Sequence, residues 1–422
     1  MFINILKSDL LMSLSEAVDL ISPLVANHHK QVACIAYYLS LELGYSHDAQ
    51  IELVYAAALH DIGITSLTDR LSTLKFDYYE DKQGHCEKGY LLLNTYKSFS
   101  DIAKIVRYHH TMWNYGRCNG YGGETIPYSS HVLHIADRIS VLMKNDRSIL
   151  MQAEDIRNSI LETKGTQFVP ELVDAFLNVS KKEYFWLDSI TVFSSLPFHG
   201  LFEREVYSIN EKEFHDVTKL YSTIIDFRSP FTATHSAGVA HSAQALAQLT
   251  GFSQRDSDLM KTAGLIHDLG KLAVPTEILE KPSSLNKEEY NIVKTHTYYT
   301  NKILLKVQDF NTIREWGAFH HERLDGKGYP FHLSARDLSV GSRIMAVVDV
   351  FVAITEDRPY RRGMEMDQAL QVLRNMVSTA LDGEIVNLLV KNIVNVNAIR
   401  ITAQKEASAA YRLTQKTALL AY

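Results

Sequence analysis

His235, His267, Asp268, His296, His320, His321 and Asp349 set five imidazoles and two carboxylates along the second half of the chain. Each falls on or at the end of a predicted helix. Imidazole and carboxylate together ligate divalent metals, and seven donors exceed what one tetrahedral zinc ion takes. They suit two divalent transition metals of octahedral type sharing a carboxylate. The mixed nitrogen and oxygen set favours Fe or Mn, with Ni or Zn as alternatives, over Ca or Mg. The adjacent pair His267-Asp268 lets one segment ligate one ion and bridge to its neighbour. Two ions a few Å apart can hold a hydroxide and clamp a phosphate oxygen, which is the chemistry of phosphodiester hydrolysis. Asp268 and Lys271 are the candidate catalytic residues. Lys271 closes the segment HDLGK (267–271), and one helical turn carries it toward the same pocket, where it could neutralise phosphate charge. Any one of these histidines alone reads as a core or surface residue; the set does not.

The elements that must position these residues are helices, and the chain writes them twice. Residues 236–250 put Val239, Ala243, Leu246 and Leu249 on one face, with Gly251 as a stop. Residues 29–43 do the same with Val32, Ile35, Ala36, Leu39 and Leu43, ended by Gly44. No stretch shows sustained period-two alternation with hairpin turns, so the expected fold is all-α. Segment 27–44 aligns with 234–251 at an offset of 207, which carries His28 onto His235 and His60-Asp61 onto His267-Asp268. At offset 211 His85 meets His296, and His109-His110 meet His320-His321; at 212 Asp137 meets Asp349. Ten of the 18 histidines thus occupy five paired positions. Amphipathic periodicity alone places apolar residues, not His-Asp pairs, so the repeat is one of whole domains. A chain of 422 residues is long enough for two cores. Near 186–215 the helical period weakens around Pro197 and Gly200. The expected division is two tandem helical domains, 1–190 and 216–422, joined by a connecting segment at 191–215.

Composition excludes other classes. With 46% hydrophobic and 22% charged residues the chain is globular, and its formal charge of −6 argues against bulk nucleic-acid binding. A local cluster of cations or metal can still hold a small anion. No apolar run approaches the ~20 residues of a membrane span, and Lys7, Asp9, Glu16 and Asp19 interrupt the mildly apolar start, leaving no signal-peptide core. Cys34, Cys86 and Cys118 form no metal-spaced pair and no disulfide framework, which fits a reducing cytoplasm.

Segment 320–330, HHERLDGKGYP, is the most specific signal: Gly326, Gly328 and Pro330 make a tight loop after the paired histidines, and Tyr329 projects from it. With THS, HDLGK, THTYYTNKIL and VVDVFVAITEDRPYR (347–361) in the same order, residues 220–400 resemble the HD-GYP domains, a branch of the HD metal-dependent phosphohydrolases. The resemblance implies tandem HD-type domains and hydrolysis of cyclic di-GMP or 3',3'-cyclic GMP-AMP, in bacterial second-messenger signalling. It implies that His235, His267, Asp268 and Asp349 hold one metal and that Asp268, His296, His320 and His321 hold the second. Lys271, Tyr329, Arg358 and Arg361 would bind the phosphates; Arg361 stands where such domains often have Lys. Some relatives bind a third metal through a Glu four residues before the first histidine. Phe231 stands there, with no carboxylate between 229 and 234, so two metals are expected. The alternatives are a general HD nucleotide phosphohydrolase, disfavoured by the HHERLDGKGYP loop, and a non-hydrolytic dinucleotide receptor acting through protein partners, disfavoured by the complete ligand set.

The first copy keeps all seven ligand types: His28, His60, Asp61, His85, His109, His110 and Asp137. The cations have gone. Ile64, Asp146 and Ile149 stand for Lys271, Arg358 and Arg361, and the loop HHTMWNYGRCNGYGG (109–123) is longer, with Gly122 in place of Pro330. The expectation is a degenerate HD-type domain that can bind metal, does not hydrolyse cyclic dinucleotides and serves the second domain.

Overall fold

The computed structural model describes residues 2–3, 5–20, 27–64, 73, 84–190, 197–202, 209–227, 230–307, 309–357 and 362–420. The chain divides into two compact units, Leu6–Tyr207 and Met1–Ile5 with Ser208–Tyr422. Both are helical. The one sheet among the described residues pairs Phe2–Ile3 antiparallel with Ile209–Asn210, and it ties the first residues of the chain into the second unit.

In the first unit, helix His28–Glu42 packs on His47–Leu59 and Tyr128–Leu142, with His85–Asn94 and Ser100–Arg107 paired alongside. In the second, helix Pro230–Leu249 packs on Gln254–Ile266, Val340–Thr355 and Ile393–Leu420, and Lys287–Leu304 lies against Asn311–Ala318. The same local signals start corresponding helices. Ser46 accepts from the Ala49 amide (3.4 Å), and its counterpart Ser253 accepts from the Asp256 amide (3.1 Å). Gly44 and Gly251 end the preceding helices at φ +70° and +89°, the left-handed stop that glycine makes without strain.

The cores follow the helical period. Val239, Ala243 and Leu246 are fully buried, as are Val32, Ile35, Ala36 and Leu39, whereas Leu249 at the helix end is 40% exposed. Helix Val340–Thr355 is apolar nearly all round: Ile344, Val347, Val348, Phe351 and Val352 are buried, each contributing about 1.5–3 kcal/mol. That helix also carries Asp349, so its hydrophobic burial drives a carboxylate into the interior. Among the described residues no helix is long and apolar enough to cross a membrane.

Candidate metal centre

Five segments of the second unit converge on one buried cluster. His235 projects from helix Pro230–Leu249, and Asp349 meets it across the core, with His235 Nε2 3.1 Å from Asp349 Oδ1. His267 caps helix Gln254–Ile266 and Asp268 follows it; His267 Nε2 lies 3.2 Å from Asp268 Oδ2 and 3.7 Å from Asp349 Oδ1. His296 comes from helix Lys287–Leu304, and His320 and His321 from the turn after Asn311–Ala318. Asp268 Oδ1 is 3.5 Å from His296 Nε2 and 3.9 Å from His320 Nε2. Asp349 Oδ2 is 3.9 Å from His321 Nδ1. Asp268 thus presents one oxygen to the His267 side and the other to the His296 side.

The proton positions test whether this set fits metal. The Nδ1 atoms of His267, His296 and His320 donate to the carbonyls of Gly264, Val293 and Gly317 at 2.8, 2.6 and 2.6 Å. A carbonyl only accepts, so each Nδ1 carries a proton and each Nε2 points into the cluster. Burial holds the His296 imidazole down at about 3 and the His320 imidazole well below its ordinary range, so both rings are neutral at pH 7. Their Nε2 atoms nevertheless stand 3.3 Å apart, lone pair to lone pair. Among the described residues, buried His267 Nε2 and Asp268 Oδ1 have no hydrogen-bond partner. Converging acceptors of this kind are stabilised by a cation, and the ligand atoms of His235, His267 and Asp268, and those of His296, His320 and His321, each lie within 4.8 Å of one another. The residues fit divalent metal.

Two carboxylates that the sequence reading passed over support the cluster. Glu356, buried, accepts from His235 Nδ1 at 3.2 Å and orients the ring toward Asp349. Burial alone would lower the His235 pKa, but Glu356 and Asp349 outweigh it and hold it up at about 10. Glu322, also buried, accepts from the amides of Phe331 (2.7 Å) and Leu333 (3.0 Å) and so folds the HHERLDGKGYP loop back on its own start. A Cβ on Gly328 would lie 2.4 Å from Glu322 Cα, so only glycine fits there. Glu356 sits within the quoted motif VVDVFVAITEDRPYR, but its partner His235 lies 121 residues away, and nothing local reveals the pairing.

Of the candidate phosphate-binding residues, Lys271 Nζ lies 2.6 Å from Asp268 Oδ2 at the part-exposed edge of the cluster. Tyr329 packs against His321 with ring centroids 4.9 Å apart and planes tilted by 38°, and burial raises its hydroxyl pKa. Arg358 and Arg361 lie outside the described residues.

The first unit assembles its copy of the set in the same pattern. His28 Nε2 is 3.1 Å from Asp137 Oδ1, His60 Nε2 is 3.2 Å from Asp61 Oδ2, and Asp61 Oδ1 is 3.5 Å from His85 Nε2 and 3.8 Å from His109 Nε2. His110 is buried beside His85 and His109. Ile64, at the place of Lys271, is buried in the apolar core, and so is Ile149; Asp146 is exposed. Arg147, the neighbouring cation, is taken up by Asp155 at 2.8 Å.

These two halves match known proteins separately and together. The HD domain family matches residues 219–385 and, in a second form, residues 25–142. The 3'3'-cGAMP-specific phosphodiesterase 1 of Vibrio cholerae is 29% identical over 394 residues, covering 90% of this chain and 90% of that one. The 3'3'-cGAMP-specific phosphodiesterase 3 of the same organism is 30% identical over 311 residues, covering 73% of this chain and 66% of that one. In fold, the chain superposes on the crystal structure of a cyclic GMP-AMP specific phosphodiesterase from V. cholerae with a TM-score of 0.65 at 22% identity, over 93% of this chain and 98% of that chain. With an HD domain in each half, the chain belongs to the HD-domain family.

Proposed function

We propose that the second unit hydrolyses a phosphodiester bond of a cyclic dinucleotide, opening the ring to the linear dinucleotide. The relatives that span most of the chain are named for 3'3'-cGAMP, which makes 3',3'-cyclic GMP-AMP the first candidate substrate and cyclic di-GMP the second. The observation that carries this reading is the buried set of imidazole nitrogens and carboxylate oxygens converging around Asp268. His235, His267, Asp268 and Asp349 would hold one ion, and Asp268, His296, His320 and His321 the other, with Fe or Mn the expected metal. When bound, the ions supply Lewis acidity toward a phosphate oxygen and lower the pKa of water.

The chain's own residues do the rest. Lys271 stands at the edge of the cluster, where a long flexible cation can turn from Asp268 to a phosphate oxygen as substrate enters. Tyr329 offers a ring and a hydroxyl beside His321, on the loop that Glu322 pins. Glu356 fixes the tautomer of His235. Among the described residues Cys34, Cys86 and Cys118 form no disulfide, which fits a cytoplasmic setting for this chemistry.

The test is to load the full chain with Fe(II) or Mn(II) and incubate it separately with 3',3'-cyclic GMP-AMP and cyclic di-GMP. Linear dinucleotide should appear from at least one of them. Saturable binding of both without product, at two equivalents of metal in the second unit, would make the protein a receptor instead.

A further inference from the structure

The two copies differ at two positions next to their ligands. Cys86 follows His85 where Thr297 follows His296, and Arg138 follows Asp137 where Val350 follows Asp349. We propose that His85, Cys86, His109 and His110 form a single-ion, thiolate-containing tetrahedral site of the zinc class in the first unit, and that Arg138 takes the place of a second ion there.

The geometry is that of such a site. A tetrahedron built on metal–nitrogen bonds of about 2.05 Å and metal–sulfur bonds of about 2.3 Å has N···N edges of about 3.3 Å and N···S edges of about 3.6 Å. His85 Nε2 and His109 Nε2 are 3.3 Å apart, and Cys86 Sγ is 3.6 Å from His85 Nε2; it lies over the edge of the His109 ring, 3.4 Å from Nδ1 and 3.9 Å from Nε2, so a small turn of the thiol completes the set. One ligand atom from each of the four residues, His110 included, lies within 4.8 Å of the others, and all four side chains are buried. His109 Nδ1 donates to the Val106 carbonyl at 2.6 Å, which turns its Nε2 lone pair into the cluster. A thiolate among imidazoles selects a softer ion than the imidazole–carboxylate set of the second unit. Four protein donors also close the coordination shell, as in structural sites. A cavity of about 320 Å³, lined in part by Cys86, His110 and Tyr108, opens on the cluster and gives an ion its way in.

Arg138 bears on the other donor group of this unit, His28, His60 and Asp137, whose ligand atoms also lie within 4.8 Å of one another. Its guanidinium is 1% exposed, with Nη2 2.6 Å and Nε 3.1 Å from Asp137 Oδ2, and Nη2 also donates to the Thr73 carbonyl at 2.9 Å. A guanidinium never gives up its charge. It therefore neutralises the carboxylate that, at Asp349, is left for metal. The second unit has a cation of its own in Lys271, but that one is part-exposed and can swing away, whereas Arg138 is held in the interior by two acceptors.

The probe is Co(II) added to the full chain. A thiolate ligand gives a near-ultraviolet sulfur-to-cobalt charge-transfer band, which the imidazole and carboxylate ligands of the second unit cannot produce. The native chain should show this band at one equivalent. Cys86→Thr, which copies the residue the second unit tolerates at Thr297, should abolish it and lower bound metal by one equivalent per chain with helicity unchanged. Cys118→Ser should keep it. If Cys86→Thr does not fold, zinc should still protect Cys86 of the native chain from alkylation, read by mass spectrometry. No band in the native chain, a band persisting in Cys86→Thr, or equal alkylation with and without zinc would overturn the site. These readouts are optical and stoichiometric, so they stand apart from hydrolysis by the second unit.

Discussion

His235 shows how much of a metal site is decided by residues that never touch the metal. Its Nδ1 faces Glu356 at 3.2 Å and its Nε2 faces Asp349 at 3.1 Å, so a proton on each nitrogen is held between carboxylates until a metal displaces one. Removing metal from the second unit with a chelator at neutral pH should accordingly be accompanied by proton uptake, since the His235 pKa is held up at about 10. Glu356→Gln removes the charge that orients the ring and should weaken metal affinity roughly 10–100-fold in a competition titration with a chelator, leaving helicity unchanged. Unchanged affinity would mean that the His235 ring is held by packing alone. Lys271 is the complementary case, a cation beside the ligands rather than one of them. Lys271→Ala should keep both ions, counted by elemental analysis, yet lose about 2–4 kcal/mol of transition-state stabilisation in kcat/KM, the usual cost of one donor aimed at developing charge. Kinetics within twofold of the native protein would reduce Lys271 to a neutraliser of Asp268.

At the scale of elements, the site depends on how closely helices can approach. Gly270 lies where a Cβ would stand 1.9 Å from the His296 carbonyl oxygen, and its counterpart Gly63 stands in the same relation to His85 at 2.1 Å. The turn after Asp268 thus rests directly on the backbone of the helix that supplies His296. Gly270→Ala must push these segments apart, which overpacks a full interior at a cost of about 1–3 kcal/mol. It should lower the unfolding midpoint of the second unit and release metal together. A variant that unfolds earlier but retains both ions would separate packing from ligation. This close approach explains what was legible beforehand. Helix faces were, because Val239, Ala243 and Leu246 obey a local period, and the ligands were, because His-Asp pairs recur at fixed offsets. Glu356, Glu322, Arg138 and Cys86 were not, because each acts on a partner brought near only by tertiary folding. Arg138 neighbours Asp137 in sequence, yet only the burial of its guanidinium gives that adjacency a meaning. The strands Phe2–Ile3 and Ile209–Asn210 are two residues long, too short for any periodicity to announce.

Across the whole molecule, duplication has left two metal-type clusters whose chemistry has diverged. The first unit keeps the imidazoles and carboxylates but buries Ile64 where the second has Lys271, adds a thiol at Cys86 and sets Arg138 on Asp137. A closed four-donor site and a neutralised carboxylate leave no open metal position for a substrate phosphate, whereas the second unit keeps Asp268 between two clusters of ligands. Hydrolysis should therefore belong to the second unit alone, and one substitution in the full chain can read this out. Asp268→Asn removes the charge shared by both clusters of the second unit while leaving every ligand of the first in place. Turnover of cyclic dinucleotide should fall at least ~1000-fold, about 4 kcal/mol, and bound metal should drop to roughly one equivalent per chain, the ion of the first unit. Circular dichroism should be unaltered, since Asn keeps the size of Asp. Turnover persisting at a tenth or more of the native rate would assign catalysis to the first unit as well. Loss of all metal alongside loss of turnover would instead show that the first unit's cluster is held together by hydrogen bonds among its own histidines.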